Sequence, residues 1–214
     1  MCLKANLNFI NRSYDVNRSD IIIFQTNGAA RGAERSVAWK VIKRCPNDWS
    51  HPFTFSNELH LGIGDRDGNH CPRVPVTPGT LARVLPCPGG GVALVAGRGK
   101  DPTTIHVESR VRVGGYAAEV YRDGRLLSRH CGLAPRGRAG FRFNHRIWLF
   151  AGSGIDEGDL LRCSELRWRV LTELDLLGVR RADILMTGGG YGPHATPLRF
   201  HLHRAERNAI SGAN

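Results

Sequence analysis

Apolar and polar residues alternate with period two along much of the chain. In residues 105–113, Ile105, Val107, Ser109, Val111 and Val113 share one parity, and His106, Glu108, Arg110 and Arg112 take the other. That pattern predicts a strand with one buried face. The opening segment behaves likewise, with Leu3, Ala5, Leu7 and Phe9 set against Lys4, Asn6 and Asn8. Between 161 and 176 the Leu, Arg and Glu content would suit a helix. Yet Leu166, Trp168, Val170, Thr172, Leu174 and Leu176 share a parity that only Leu171 violates, so a long strand is expected there. Further strands are predicted at 20–25, 36–43, 58–63, 80–85, 92–96, 116–121, 125–130, 141–150, 182–187 and 198–203.

Turn residues punctuate these segments at short intervals. Asp67-Gly68 and Asp123-Gly124 lie between apolar flanks, where a two-residue type I′ hairpin turn needs positive φ at both positions. Asn27-Gly28, Pro78-Gly79 and Gly114-Gly115 mark other turns, and Pro86-Cys87-Pro88-Gly89-Gly90-Gly91 reads as a loop. With 26 Gly and 11 Pro spread along the chain, no run of long helices fits. The pattern predicts one all-β domain over residues 1–214: a two-sheet β-sandwich, jelly-roll-like, with hairpin and Greek-key connections.

A domain of 214 residues buries enough surface to fold without disulfides or a structural metal. Lys and Arg number 30 against 19 Asp and Glu, a formal charge of +11, and only Lys4, Lys40, Lys43 and Lys100 of the basic residues are lysines. The arginines run from Arg12 to Arg207, as on a solvated surface, with one concentration. Arg122, Arg125, Arg129, Arg136, Arg138, Arg142 and Arg146 face a single acid, Asp123, and are the candidate contacts for nucleic acid or another polyanion. Phe141, Phe143 and Trp148 lie near them as stacking candidates, although Phe141 and Phe143 oppose Arg142 in parity and read as core. The six cysteines include no C-x-x-C pair, which removes zinc-ribbon and thioredoxin-type spacings. No continuous apolar segment follows Met1, and no stretch approaches 18 uninterrupted apolar residues. The expectation is a protein with reduced thiols and no membrane span, cytoplasmic or exported without a classical signal peptide.

Candidate chemistry is sparse. On a strand, Phe200-His201-Leu202-His203 places both imidazoles on one face, and with Glu206 and His106 as further donors a metal-dependent enzyme is one reading. The cupin pattern wants three or four residues between the second His and the Glu, whereas only Arg204 and Ala205 intervene. A solvated histidine face opposite buried Phe200 and Leu202 is therefore expected. Asp65, Asp67 and Asn69 have calcium-loop spacing, but His70 and Val76 stand where the loop needs Gly and a bidentate Glu. Gly97-Arg98-Gly99-Lys100-Asp101 lacks the first Gly and the final Ser or Thr of a phosphate-binding loop. Thr187-Gly188-Gly189-Gly190-Tyr191-Gly192 follows a strand without opening a helix and reads as a wide loop. Gly152-Ser153-Gly154 lacks the outer glycines of a nucleophile elbow. No catalytic motif is intact and no cofactor is implied. Trp49 and Tyr191, on loops, are the exposed aromatics that a carbohydrate-binding sandwich would use.

Residues 8–13, then Ile21-Ile22-Ile23-Phe24-Gln25 and Ser36-Val37-Ala38-Trp39, resemble the opening of RhiA-like bacterial proteins. The resemblance covers the N-terminal quarter and implies a small β-sandwich, with no catalytic residues to transfer. The sequence thus reads as a non-catalytic bacterial β-sandwich acting in binding or self-assembly, the latter as a homo-oligomer or filament joined through pairable strand edges. The rivals are the metal-dependent enzyme and a polyanion- or carbohydrate-binding module.

Overall fold

The computed structural model describes residues 4–29, 35–88, 90–162, 166 and 170–208. Among them the chain runs β1 (Lys4–Asn11), β2 (Asp20–Phe24), β3 (Arg35–Val37), β4 (Lys40–Ile42), β5 (Ser50–Ser56), β6 (Leu59–Gly64), β7 (Val74–Val76), β8 (Thr80–Pro86) and β9 (Val92–Arg98). It continues with β10 (Ile105–Ser109), β11 (Tyr116–Arg122), β12 (Arg125–Leu133), β13 (Arg138–Phe141), β14 (Arg146–Gly152), β15 (Leu160–Leu161), β16 (Thr172–Asp175), β17 (Val179–Gly189) and β18 (Thr196–Arg207). The protein is all-β, with four sheets and no closed barrel, as the alternation predicts. Its contacts group into two compact units, each drawn from separated stretches. The first takes described residues within 1–24, 38–57 and 145–214, the second those within 25–37 and 58–144.

In the first unit one sheet has the order β18-β17-β1-β5 and the other β16-β14-β2-β4. Strand β1 buries Ala5, Leu7 and Phe9 and exposes Lys4 and Asn6, as its parity predicts. It pairs parallel to β17, with Phe9 opposite Ile184, and antiparallel to β5, with Leu7 opposite Phe53. Strand β2 is buried on both faces, so it reads as a continuous apolar run rather than an alternation. Trp39, fully buried just before β4, meets Phe53 and Phe55 edge-on at centroid distances of 6.3 and 5.7 Å, which closes the two sheets of this unit on each other. From β2, Ile22 and Phe24 join a cluster with Ala38, Val41, Phe150, Ile155 and Leu161, against which Leu166 and Leu171 pack.

In the second unit β3, β12, β11, β6 and β7 lie side by side in that order, and the other sheet runs β13-β10-β8-β9. Leu61, Ile63, Ala118 and Val120 from the first sheet and Ala82, Val84, Val107 and Phe141 from the second are its buried residues. Between β11 and β12, Asp123 and Gly124 have φ of 49° and 78°, as a type I′ turn requires.

Several expectations are corrected. Residues 161–176 are not one strand: Leu166 donates its backbone N–H to the Arg162 carbonyl, Val170 is exposed, and regular pairing resumes only in β16. Leu161, Leu166 and Leu171 recur every five residues on the cluster around Phe24, a spacing that neither strand nor helix periodicity describes. Residues 163–165 and 167–169 lie outside the described residues. The predicted strands 36–43 and 141–150 each divide, into β3 and β4 and into β13 and β14. Both divisions fall where the chain passes between the two units, so apolar patterning continues while the core it serves changes. Strand β10 ends at Ser109, and Val113 is exposed. At the β6–β7 connection only Gly68 takes positive φ, because Asp65 accepts from the backbone N–H groups of Asp67 and Asn69 and closes a wider loop. Two strands, β5 and β7, are additional to the predicted set; each alternates over only three residues, Phe53-Thr54-Phe55 and Val74-Pro75-Val76, with a proline beside or within the run.

Candidate functional site

Three separated segments of the first unit meet around a cleft of about 510 Å³. Tyr14, Asp15 and Arg18 come from the segment that leaves β1, Arg44 and Asn47 from the one that leaves β4, and Tyr191 from the turn after β17. Tyr14 and Tyr191 are 75 and 81 % exposed. Trp49, 66 % exposed, continues the second segment, and its carbonyl accepts from the Asn11 backbone N–H and the Cys45 thiol. Tyr14, Trp49 and Tyr191 are the exposed large aromatics among the described residues, and all three belong to this end of the unit.

Short polar side chains hold the first segment in shape. Asn11 accepts from both the backbone N–H and the hydroxyl of Ser13 at 2.9 and 2.7 Å, and its amide donates to the Cys45 carbonyl at 2.7 Å. Asp15 accepts from the backbone N–H groups of Asn17 and Ser19 at 3.1 and 2.6 Å. These Asx-type bonds take the place of a ladder and fix where Tyr14 emerges. Arg12 pairs with Asp48 and ties the first segment to the second.

The third segment approaches because of its glycines. Tyr14 donates to the Gly188 carbonyl and accepts from Gly190, at 2.8 and 2.9 Å. Gly189 has φ +86°, and a Cβ there would lie 2.5 Å from the Tyr14 carbonyl oxygen. Only glycine allows this contact. The run Thr187-Gly188-Gly189-Gly190 is therefore the end of β17 folded against the Tyr14 backbone rather than a loose loop or a nucleotide fingerprint.

No family model, curated protein or solved structure matches this chain. Its function rests on the geometry of its own surfaces.

The histidines lie as their parity predicts but do not gather. His201 and His203 are exposed on β18, opposite Leu185 and Asp183 of β17, while Phe200 is buried and Leu202 half-buried. Glu206 pairs opposite Arg181 beyond a bulge at Arg204, whose φ is 48°, and His106 belongs to the second unit. Among the described residues no three His, Cys, Asp or Glu side chains are grouped to hold a metal ion. That bulge and Pro197 lie on β18, the edge strand of its sheet. Cys45, Cys71, Cys87 and Cys131 are free thiols; Cys2 and Cys163 lie outside the described residues.

The seven arginines divide between the two units. Arg146 lies in the first unit and bonds Glu173 at 2.8 Å, while the other six belong to the second. Arg122 falls on the core parity of β11, opposite Leu59, and is buried, which lowers its pKa to about 10. Arg129 pairs at 2.7 Å with Glu119, a carboxylate only 2 % exposed that also accepts from the Tyr121 hydroxyl at 2.5 Å and lies 3.4 Å from His70 Nδ1. Arg142 donates to the Gly28 carbonyl at 2.7 Å, Arg125 pairs opposite Arg122 beside the hairpin turn, and Arg136 sits at positive φ before β13. Arg138 joins Arg83 and Arg110 around a shared acid, Glu108.

The remaining loops are structural in their bonding. Arg98 and Lys100 line a second cleft of about 550 Å³ with Thr77 and Thr80, but the Gly79 and Gly99 N–H groups donate to Thr104 and Gly79 carbonyls and so are not turned to a phosphate. No helix among the described residues is long and apolar enough to cross a membrane. Trp49 and Tyr191 were visible in the sequence as candidates, whereas Tyr14, Arg18 and Arg44 were not. The signals that could have found Tyr14 are the Asn11-x-Ser13-x-Asp15 rhythm of turn-forming side chains and the three consecutive glycines that receive it.

Proposed function

We propose that the protein binds carbohydrate in the cleft between Tyr14 and Tyr191. The observation that supports this is that two of the three exposed aromatic residues among those described, Tyr14 and Tyr191, line one concave surface of the first unit together with Asp15, Arg18, Arg44 and Asn47. An aromatic ring held in water is uncompensated apolar area, and its natural complement is a ligand with an apolar face and a polar rim. A pyranose has that character: its C–H face lies on a ring, and its hydroxyls reach planar groups such as those of Asn47, Asp15, Arg18 and Arg44. Two guanidiniums against one carboxylate leave the lining positive, which favours a sugar bearing a uronate. The cleft walls are fixed by Asx-type bonds and by Gly189, so little ordering entropy opposes binding. This reading keeps the binding half of the sequence expectation and needs no catalysis.

Calorimetric titration of the full chain with a neutral hexasaccharide and with a uronate-containing one, chosen from a glycan array, tests it. Binding that falls about tenfold for Tyr14→Ala and for Tyr191→Ala, with the uronate ligand preferred, is the expected result. An array without a single binder, or affinity indifferent to both tyrosines, would refute it.

A further inference from the structure

The outward face of the sheet β13-β10-β8-β9 carries a group of charges that the aromatic cleft does not use. In its register Glu108 of β10 lies between Arg138 of β13 and Arg83 of β8. The adjacent positions Val107, Ala82 and Ala139 are buried, so alternation sends the three charged side chains to the opposite face. Arg110, two residues beyond Glu108, turns to the same carboxylate. Arg138 Nη2 and Arg110 Nη2 donate to it at 3.0 Å each, and Arg83 Nε lies 3.8 Å away. Glu108 is the ion-pair partner of all three.

Charge and exposure separate this arrangement from an ordinary ion pair. Glu108 is buried beneath the arginines, whereas the side chains of Arg83, Arg110 and Arg138 are 43, 53 and 77 % exposed. One carboxylate offsets one guanidinium and leaves two positive charges in excess. Exposed ion pairs add little stability, and crowding three like charges costs some, so stability does not account for the second and third arginine. Each guanidinium has five N–H donors; Arg138 and Arg110 give one each to Glu108 and Arg83 approaches it only at 3.8 Å, so most of their donors are not spent on that carboxylate. The hydrogen bond from Arg138, followed by the field of Arg110, holds the Glu108 carboxyl below the usual range and keeps it ionised as their anchor.

We infer that Arg83, Arg110 and Arg138 form a binding site for a tetrahedral oxyanion group, a phosphate or sulfate ester, held by three guanidinium forks that Glu108 orients from below. Bidentate recognition of such oxygens is the characteristic use of arginine. The outward neighbours include Leu81, Leu85, Val95 and His106, and among the described residues of these strands no Phe, Tyr or Trp shares this face to stack a nucleobase, so single-stranded nucleic acid is disfavoured.

The test titrates the full chain with tripolyphosphate, sucrose octasulfate and an oligothymidylate at low and at moderate salt. Wild type is compared with Arg83→Gln/Arg138→Gln and, separately, with Glu108→Gln; thermal melting confirms that each variant is folded. Tripolyphosphate or sucrose octasulfate should bind, more weakly with added salt, and whichever binds tells phosphate from sulfate. The double arginine variant should weaken that binding about tenfold to a hundredfold, while a folded Glu108→Gln should strengthen it severalfold by removing the competing negative charge. Absence of binding by both small anions, affinity unchanged in the double variant, or binding of the oligothymidylate alone would overturn the inference.

Discussion

Replacing Gly189 by alanine adds one methyl group at the point where the end of β17 meets the Tyr14 backbone. Two costs follow. At φ +86° an L side chain is strained, which takes about 1–2 kcal/mol. The new Cβ would also stand 2.5 Å from the Tyr14 oxygen and 2.6 Å from its carbonyl carbon, where non-bonded approaches under 3.0 Å essentially never occur. The two backbones must therefore separate, which endangers the Tyr14–Gly188 and Gly190–Tyr14 hydrogen bonds at about 0.5–1.5 kcal/mol each. The sum is about 2–5 kcal/mol. Gly192→Ala is the control, because its φ of +62° carries the backbone strain while nothing lies within 4 Å of the added methyl. Urea denaturation followed by circular dichroism should give Gly189→Ala a loss at least about 1 kcal/mol greater than that of Gly192→Ala, and titration should show its saccharide binding reduced with it. Equal losses for the two variants would refute the close-approach argument.

Other outcomes follow from the same structure. Trp39→Ala empties the space between Phe53 and Phe55 and should cost about 3–5 kcal/mol in chemical denaturation. Arg129→Leu leaves the Glu119 carboxylate with only Tyr121 and His70; because Arg129 is itself about one-third exposed, a loss of about 2 kcal/mol is expected, below that of a fully buried pair. Burial, and then the Glu119 carboxylate, push the Tyr121 hydroxyl up to about 12. The fold favours the neutral phenol, so this stabilisation is complete below about pH 10 and fades as pH rises to about 12. Absorbance titration should show one late-ionising tyrosine that Tyr121→Phe removes. Val170→Ala should leave stability within about 0.5 kcal/mol of wild type, whereas Leu166→Ala, on the cluster around Phe24, should cost several times more; the reverse order would restore the continuous strand expected over 161–176.

Much of the fold was legible because one buried face imposes one period. Residues 4–11, 20–24, 80–86, 105–109 and 116–122 alternate or run apolar according to whether one face or both are covered, and Asp123-Gly124 specifies its hairpin through local dihedral preference alone. Those signals decay within a few residues. They could not reveal that 36–43 and 141–150 change units midway, because both cores want the same apolar parity. Nor could they reveal that β1 pairs parallel with β17, more than 150 positions away, because parallel pairing leaves no local turn.

Functional groups depended still more on the tertiary structure. Density of arginine along the chain singled out 122–146, yet in space Arg122 is buried, Arg129 is spent on Glu119, and Arg138 joins Arg83 and Arg110, which sequence separation had hidden. Likewise Tyr14 and Tyr191 share a cleft only because Gly189 admits a carbonyl where any side chain would exclude it. The sequence by itself determined the all-β class, most strand positions, the excess of arginine and the lack of an intact catalytic motif, all of which are properties of neighbours along the chain. Which aromatic rings converge and which arginines share an acid were decided by strand order and register, because long-range pairing, rather than composition, sets what stands beside what.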